Sequence, residues 1–419
     1  MNLFQTIRCD CLVIGGGPAG LSAAAAAAES GLNTVLAEFL PSPGRKLLAS
    51  GSGKCNVTNR LPLEEFARRY QCGMHFVRPA LYAFPPEALE KFLTANGVPV
   101  VAPDGFHCFP KSMRAGDVLN LLLNRCRRFG VNVIPECRVE TLNLANGAVR
   151  GASAGAVRFD TGRIILACGG MGYPALGGRG SGYELARQAG HEIIQPVPAL
   201  VGLKSAEKWA SQLPGVLLPD ATVRFGKKLT GRGELIFTHT GISGPAVLDL
   251  SGSVARALAN GGEPILECSW ESRSAGEYRE RISSWQKHAG NRSLKGLLGA
   301  TLPSALVRAL LDAAGVPAER CAARLRAEER ERLVSAFSGY PLPIAGTDGW
   351  EKAMATAGGV SPSEVYAGTL ASRIAEGVFL AGEMLDVGAP CGGYNIQWAV
   401  SSGRLAGASA GRGGTRLKG

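Results

Sequence analysis

Four consecutive apolar residues, Cys11 to Ile14, run into the glycine turn Gly15 to Gly20. An alanine-rich amphipathic stretch follows, Leu21 to Ser30, and stops at Gly31. Thr34 to Ala37 is apolar again and ends at Glu38. Short apolar runs bounded by glycine read as buried strands, and the stretch between them as a helix. Together they predict a βαβ unit within about thirty residues. A glycine-rich loop, Gly44 to Asn59, comes next. Residues 62–130 carry helical periodicity, with an extended piece at Val98–Val101 and a clear helix at Asp117–Arg128. Val131–Ile134 reads as a parallel strand returning to the sheet. Arg138–Leu144 and Ala148–Phe159 alternate like an antiparallel meander, and Arg163–Ala167 is a further buried strand leading into Cys168-Gly169-Gly170.

The pattern changes near Gln195, where Pro196, Pro198 and Pro214 punctuate the chain. Val197 to Trp270 alternates in short segments separated by turns, which predicts strands of a barrel-like insert. Gly276 to Ser338 is richer in Arg, Glu, Ala and Leu and predicts helices nested within that insert. After Pro343 the earlier pattern resumes, with a strand at Gly377–Ala381 and a helix from Tyr394. The expected class is α/β. A discontinuous Rossmann domain spans 1–191 and 344–419, a β-rich insert spans 192–275 and 332–343, and a helical subdomain spans 276–331.

Gly15-Gly16-Gly17-Pro18-Ala19-Gly20 fits G-x-G-x-x-G. Gly15 permits the tight turn, Gly17 lets a pyrophosphate reach the backbone, and Gly20 lets helix and strand pack closely. The anion then sits on free N–H groups at the helix start. Any glycine loop can match the string. Here it follows a strand, opens a helix, and is followed eighteen residues after Gly20 by Glu38, at the end of the next strand. A carboxylate there holds ribose hydroxyls. Near the far end, Val378-Phe379-Leu380-Ala381-Gly382-Glu383 with Asp386 forms a strand and acidic turn, and Gly392-Gly393-Tyr394-Asn395-Ile396 opens a helix. A helix N-terminus aimed at a flavin pyrimidine stabilises negative charge on the reduced ring, and a nicotinamide domain needs no such returning element. The cofactor predicted is FAD.

These residues resemble the bacterial flavoprotein family of NAD(P)/FAD-dependent oxidoreductases, which includes an aminoacetone oxidase family and relatives of bile-acid reductases. The resemblance covers nearly the whole chain. It is carried by Gly44-Arg45-Lys46-Leu47-Leu48, by Ser50-Gly51-Ser52-Gly53-Lys54-Cys55-Asn56-Val57-Thr58-Asn59, by Phe237-Thr238-His239-Thr240-Gly241-Ile242-Ser243-Gly244-Pro245, by Thr356-Ala357-Gly358-Gly359-Val360 and by Gly382 to Gln397. It implies a glutathione-reductase-like FAD domain with an insert of barrel and helical parts. It also implies FAD contacts from Gly44, Arg45, Lys46, Gly53, Lys54, Cys55, Asn56 and Val57, with Arg45 and Lys46 offsetting pyrophosphate charge. By analogy with related folds, Val139 bonds adenine through its main chain, and Ala167, Cys168 and Gly169 approach the pyrophosphate or ribose. Gly382, Glu383, Asp386, Gly393, Asn395 and Ile396 complete the expected site. Gly388-Ala389-Pro390-Cys391 departs from the family, whose members more often carry acidic or hydroxyl residues there; the departure bears on flavin environment and substrate choice.

For catalysis the sequence offers His239 and Cys55. His239 lies between two threonines, and histidine is the side-chain type suited to proton delivery; its other reading is a structural histidine bonding its own turn. Cys55 either relays electrons beside the flavin or packs against the ring. Gly241-Ile242-Ser243-Gly244-Pro245 is not a nucleophile elbow, because position 245 is proline, so hydrolase chemistry is rejected. The eleven cysteines include no Cys-x-x-Cys pair. That excludes a dithiol flavoenzyme, fits reduced thiols, and makes Cys168 a space-filler rather than a nucleophile. No Cys/His cluster has metal spacing, so no metal is expected.

The net charge of +11 comes from 45 basic and 34 acidic residues. Apart from a tail with Arg404, Arg412, Arg416 and Lys418 the charge is scattered, and no nucleic-acid motif accompanies it, so a small-molecule substrate is expected before RNA. No apolar run is long enough to span a bilayer and no leader pattern is present, so a cytoplasmic protein without a membrane partner is expected. No second G-x-G-x-x-G follows a strand, so NADH or NADPH is expected to bind transiently at the open flavin face. The expected reaction is hydride transfer between FAD and a small organic substrate, first as NAD(P)H-linked reduction of an activated double bond. The alternatives are oxidation of an amine or amino ketone by oxygen, an RNA-modifying or RNA-binding flavoprotein, and a flavin sensor without turnover. The sequence leaves the oligomeric state open.

Overall fold

The computed structural model describes residues 5–412. Arg416 and Lys418 lie outside the described residues. The chain divides into two units, 1–196 with 355–419, and 197–354. The expected return at 344 falls inside the strand Tyr340–Thr347, which pairs with barrel strands on both sides, so the second unit continues to Met354.

The first unit is built on a five-stranded parallel sheet. Its strands are Val378–Leu380, Ile164–Leu166, Cys11–Ile14, Thr34–Ala37 and Asn132–Ile134, in that spatial order. The three central strands are buried along their whole length. That burial explains their continuous apolar runs, since a parallel sheet is covered on both faces. The meander forms a separate small sheet, Thr141–Ala145, Ala148–Ala154 and Val157–Asp160, extended by a parallel pairing with Gln5–Arg8.

Two helices join the ends of the chain. Pro18–Glu29 has proline at its first position, and six of its nine buried positions are alanine. Tyr394–Gly411 lies against it with glycines four apart, Gly403, Gly407 and Gly411. A Cβ on Gly403 would overlap the Ala19 carbonyl oxygen, one on Gly407 the Ala23 carbonyl oxygen, and one on Gly411 the Ser30 side chain. The absent side chains let the two backbones approach closely, and the N-terminal turn is thereby fixed beside the returning segment. Gly382 belongs to the same contact: its N–H donates to Ser402 Oγ at 3.0 Å and its carbonyl accepts from Trp398 Nε1 at 3.1 Å.

The second unit holds a closed six-stranded barrel, ordered Leu203–Ser205, Gly241–Ser243, Leu229–Phe237, Leu217–Phe225, Ile265–Ser269 and Tyr340–Thr347. Within the stretch expected to be strands only, Pro245–Ala259 is a fifteen-residue helix. Pro245 starts it, and Ala246, Val247, Leu250, Val254 and Ala255 recur at helical spacing and are buried. The helices Ala275–His288, Ser304–Ala313 and Ala327–Ser338 are nested between two barrel strands, and their apolar faces share one core with the barrel around Trp270, Tyr278, Leu306 and Phe337.

Candidate functional site

The glycine turn of the first unit separates structural glycines from an open one. Gly15 has φ +105, and a Cβ there would lie 2.5 Å from the Ala167 carbonyl oxygen. A Cβ on Gly20 would overlap the Gly15 carbonyl oxygen. At Gly17 a Cβ would meet no protein atom within 4 Å. This residue caps the helix Pro18–Glu29, and no side chain caps the helix in its place. The first-turn N–H groups therefore face a cradle that only an absent side chain keeps clear. Pro18 occupies the position where a helix needs no N–H.

Glu38 is buried. Its Oε2 accepts the Gly16 N–H at 2.5 Å and its Oε1 the Leu40 N–H at 2.7 Å. Burial pushes the carboxyl above the usual carboxylate range, while the two backbone bonds pull the other way. The residue expected to hold ribose thus also ties the glycine turn to the end of its strand. The Cys137 N–H donates to the Glu38 carbonyl at 2.8 Å, and Val139, two residues on, is buried. Among the described residues neither its N–H nor its C=O has a partner. A buried main-chain donor and acceptor left open are unusual in a folded chain.

The loop after Gly44 is built by backbone geometry. Gly44 has φ +75 and opens a five-residue helix; Gly51, Ser52, Gly53 and Cys55 all have positive φ. Arg45 and Lys54 are exposed. Lys46 is bound elsewhere: its Nζ lies 2.8 and 3.1 Å from the two oxygens of Glu383. Glu383 Oε1 also accepts the Thr356 N–H at 2.9 Å, and Asp386 Oδ1 accepts the Gly358 N–H at 2.8 Å. Lys46, Glu383 and Asp386, expected at the cofactor, thus each also have a protein partner. Their charged groups clamp the loop and the strand Ala355–Val360 to the acidic turn. Thr356 Oγ1 in turn accepts the Met171 N–H at 2.8 Å, beside Gly169 and Gly170.

Cys55 is completely buried, and burial pushes its thiol up to about 11. A buried thiol shifted this way is mostly neutral at physiological pH, which favours the packing alternative for Cys55 over electron relay. Asn56, with its amide nitrogen oriented to the available acceptors, donates to the Thr58 and Cys108 carbonyls at 2.8 and 3.1 Å. Val57 is buried and its N–H donates to the Cys108 carbonyl at 2.8 Å. Cys168 fills space: its Sγ lies 3.4 Å from the Ile14 carbonyl, and burial pushes its thiol up to about 12. Ala167 is buried beneath it, and Gly169 follows with φ +72.

The last helix, Tyr394–Gly411, starts at Gly393 with φ +91 and has no side-chain cap. A Cβ on Gly393 would lie 2.6 Å from the Thr58 backbone. Asn59 Nδ2 donates to the Gly392 carbonyl at 2.7 Å, and the Asn395 amide reaches back to the Ala389 and Pro390 carbonyls at 3.4 and 3.3 Å. Ile396 is partly buried in the first turn. The loop of residues 50–59 and the start of the last helix therefore form one construction.

Sequence reading missed a histidine here. His107 begins the strand His107–Pro110, which pairs with Thr58–Asn59. Its Nδ1 lies 2.6 Å from Asp104 Oδ2, while Asp104 Oδ1 accepts the N–H groups of Phe106 and His107 at 3.0 and 2.8 Å. Its Nε2 has no partner among the described residues, and a Cβ on Gly392 would lie 3.2 Å from it. The available signal was Asp104-Gly105-Phe106-His107, a carboxylate at a turn three residues before an imidazole.

His239 belongs to the second unit and is exposed. Its turn is held by its neighbours: Thr238 Oγ1 accepts the Gly241 N–H at 3.1 Å, and Thr240 Oγ1 donates to Asp348 at 2.8 Å. The imidazole makes no hydrogen bond to the turn, so the structural reading of His239 finds no support in the geometry.

Residues 9–409 match the family model described as the HI0933-like protein Rossmann domain. The chain belongs to this family. It is 35% identical over 410 residues to a 3-dehydro-bile acid delta(4,6)-reductase of Clostridium scindens, covering 95% of this chain and 98% of that one. It is 28% identical over 417 residues to a ribosomal RNA dihydrouridine synthase of Escherichia coli, covering 94% and 96%. Among solved structures, the fold is shared with a quinol fumarate reductase of Escherichia coli, at 19% identity and TM-score 0.55 over 99% of this chain and 72% of that one. It is also shared with a 3-ketosteroid delta1-dehydrogenase of Sterolibacterium denitrificans, at 13% identity and TM-score 0.51 over 97% and 100%. The resemblance carried by the motifs is thus a family membership, and the protein is an FAD-dependent oxidoreductase. The open cradle at Gly17, the unpaired main chain of Val139 and the uncapped last helix all fit that cofactor. No helix among the described residues is long and apolar enough to cross a membrane.

Proposed function

We propose that this protein reduces a carbon–carbon double bond conjugated to a carbonyl, using electrons that NADH or NADPH delivers transiently. The observation that carries this reading is what two full-length relatives have in common. One is named for reducing the double bonds of a 3-dehydro-bile acid, the other for making dihydrouridine. The bonds concerned differ in molecular setting but both are conjugated to a carbonyl.

FAD when bound supplies the hydride. The chain's own residues do the rest. The open backbone at Gly17, with the first-turn N–H groups of Ala19 and Gly20, would receive the pyrophosphate, and Arg45 offers an exposed cation to it. Glu38, whose two oxygens keep lone pairs beyond the Gly16 and Leu40 N–H bonds, would accept from ribose hydroxyls, and the main chain of Val139 would match the donor and acceptor edge of adenine. Gly53, Cys55, Asn56 and Val57 shape the wall beside the isoalloxazine, and Gly393 presents the helix N-terminus that favours charge on its pyrimidine. Lys46, Glu383 and Asp386 act by holding that wall in place. Hydride addition next to a carbonyl leaves an enolate that needs a proton, so a group titrating near neutrality is required. His239, exposed and free of its turn, was the sequence's candidate.

The test is anaerobic reduction with NADH or NADPH, followed by exposure to a conjugated 3-oxo steroid, to cyclohexenone, or to air. Rapid reoxidation by the enones supports the reading. Rapid reoxidation by air alone, with stoichiometric peroxide, refutes it in favour of an oxidase.

A second reading has one observation in its favour: the +11 charge, together with the relative named for ribosomal RNA. In that case the conjugated bond belongs to a uridine in RNA. Reoxidation by a uridine-rich transcript, with affinity falling steeply as salt rises, supports this reading over a steroid-sized substrate.

A further inference from the structure

Proton delivery needs an imidazole with one nitrogen held and the other free. In the first unit Asp104 takes Nδ1 of His107, and its other oxygen fixes the turn that presents the ring. The free Nε2 lies beside Gly392, just before the start of the last helix. A side chain at Gly392 would crowd that nitrogen; glycine, with φ +111, leaves it open. The alternatives around it are occupied. Arg60 and Glu90 pair at 3.1 Å, and Glu90 also accepts from Cys108 Sγ at 3.2 Å. Tyr70 donates to the Tyr394 carbonyl at 2.9 Å. Cys55 and Cys108 are buried, and burial pushes their thiols up to about 11 and about 12.

We propose that His107 is the proton donor of the flavin site and that Asp104 is its positioning residue. The inference rests on the double-bond reading above and on the last helix facing the flavin pyrimidine. In the imidazolium form Nδ1–H is held by Asp104 and Nε2–H points to the site. The hydride supplied by reduced FAD adds to the carbon β to the carbonyl, and its electron pair forms the new C–H bond. The π electrons move toward the carbonyl as the enolate forms. The Nε2 proton then goes to the α carbon, a second C–H bond forms, and neutral imidazole remains. The imidazole regains its proton from water, and FAD, when bound and re-reduced by NADH or NADPH, would supply the next hydride.

Wild type, His107→Gln, Asp104→Asn and His239→Gln are compared by two measurements. The first is the midpoint potential of bound FAD against pH, which needs no substrate. Asp104 pairs with the His107 ring, and Arg60 and Glu90, on the neighbouring strand end and helix, pair with each other. A break in the profile is expected in wild type, lost in His107→Gln, and moved to lower pH in Asp104→Asn, where the imidazolium loses its carboxylate. The second is the rate at which reduced enzyme is reoxidised by cyclohexenone. His107→Gln is expected to slow it by about 10²–10⁴-fold, the usual worth of a positioned acid, while reduction by NADPH stays within about twofold. An unchanged break and an unchanged reoxidation rate in His107→Gln overturn the inference, as does a loss of proton transfer in His239→Gln alone. If no enone reoxidises wild type, the double-bond reading fails. The potential profile still decides whether His107 lies at the flavin, since a break that persists in His107→Gln removes it.

Discussion

Replacing Gly17 with valine separates cofactor binding from folding. The backbone at Gly17, φ −74 and ψ −179, is extended and open to any residue, and a Cβ there meets no protein atom within 4 Å. Valine is a poor N-cap, so the variant loses about 1 kcal/mol of stability. The methyl groups stand where a pyrophosphate must come to ~2.9 Å from the first-turn N–H groups. Two charge-assisted bonds lost, at ~1.5–3 kcal/mol each, remove ~3–6 kcal/mol of binding. That corresponds to about 10²–10⁴-fold in Kd for FAD. Gly20→Ala is the contrast, because its Cβ overlaps the Gly15 carbonyl oxygen. It is expected to unfold the turn itself. The assay is FAD fluorescence quenching on refolded apoprotein, with thermal unfolding of the same samples. A folded Gly17→Val protein that binds FAD with the wild-type Kd refutes the assigned cradle. So does a variant as unstable as Gly20→Ala.

Four further outcomes are expected. Gly403→Leu drives a side chain into the Ala19 carbonyl and is expected to lower stability by ~3 kcal/mol, read by chemical denaturation. Lys46→Met and Glu383→Gln form a double-mutant cycle across a pair at 2.8 Å with both side chains less than a third exposed; coupling of about 1 kcal/mol is expected, and additive losses would show that no clamp exists. Cys55, buried and pushed up to about 11, is expected to resist iodoacetamide in the native state at neutral pH and to react only on unfolding, followed by mass spectrometry. His191 is buried, and burial lowers its pKa from the ordinary 6.5, so the unfolded state binds its proton first as pH falls. Its stabilising effect is complete above 6.5 and is lost below it, and His191→Gln is expected to flatten the pH dependence of Tm in that window.

What could be read from the sequence was whatever local spacing encodes. The βαβ unit shows itself because its strands are buried on both faces and its glycines sit at fixed intervals. The barrel shows itself through alternation. The helix Pro245–Ala259 was hidden because it interrupts a run of strands, although Gly244-Pro245 marks its start and the buried positions keep helical spacing. Lys46 and Glu383 are 337 residues apart, and nothing local reveals that the two charges meet each other before any phosphate. His107 escaped notice because its strand is four residues long and acquires meaning only through its pairing with Thr58–Asn59.

The fold also contains an arrangement that shows why three suitable groups do not make a catalyst. Ser372 Oγ lies 2.8 Å from His191 Nε2, and His191 Nδ1 lies 2.9 Å from Glu364 Oε2. On paper that is a serine–histidine–glutamate relay. Yet Ser372 Oγ also accepts the Ile374 and Ala375 N–H groups at 3.0 and 2.9 Å, and both Ser372 and His191 are buried. The oxygen is occupied on every side and no substrate carbon can approach it, so the relay ties the loop at 361–375 to the end of the helix Ser181–Gln188. The Asp104–His107 pair has the opposite property. Its carboxylate is occupied by the turn and by Nδ1, while Nε2 is free, partly exposed and next to a glycine that keeps the space clear. A free valence on an oriented ring separates a chemical histidine from a structural one, and in the first unit that criterion selects His107.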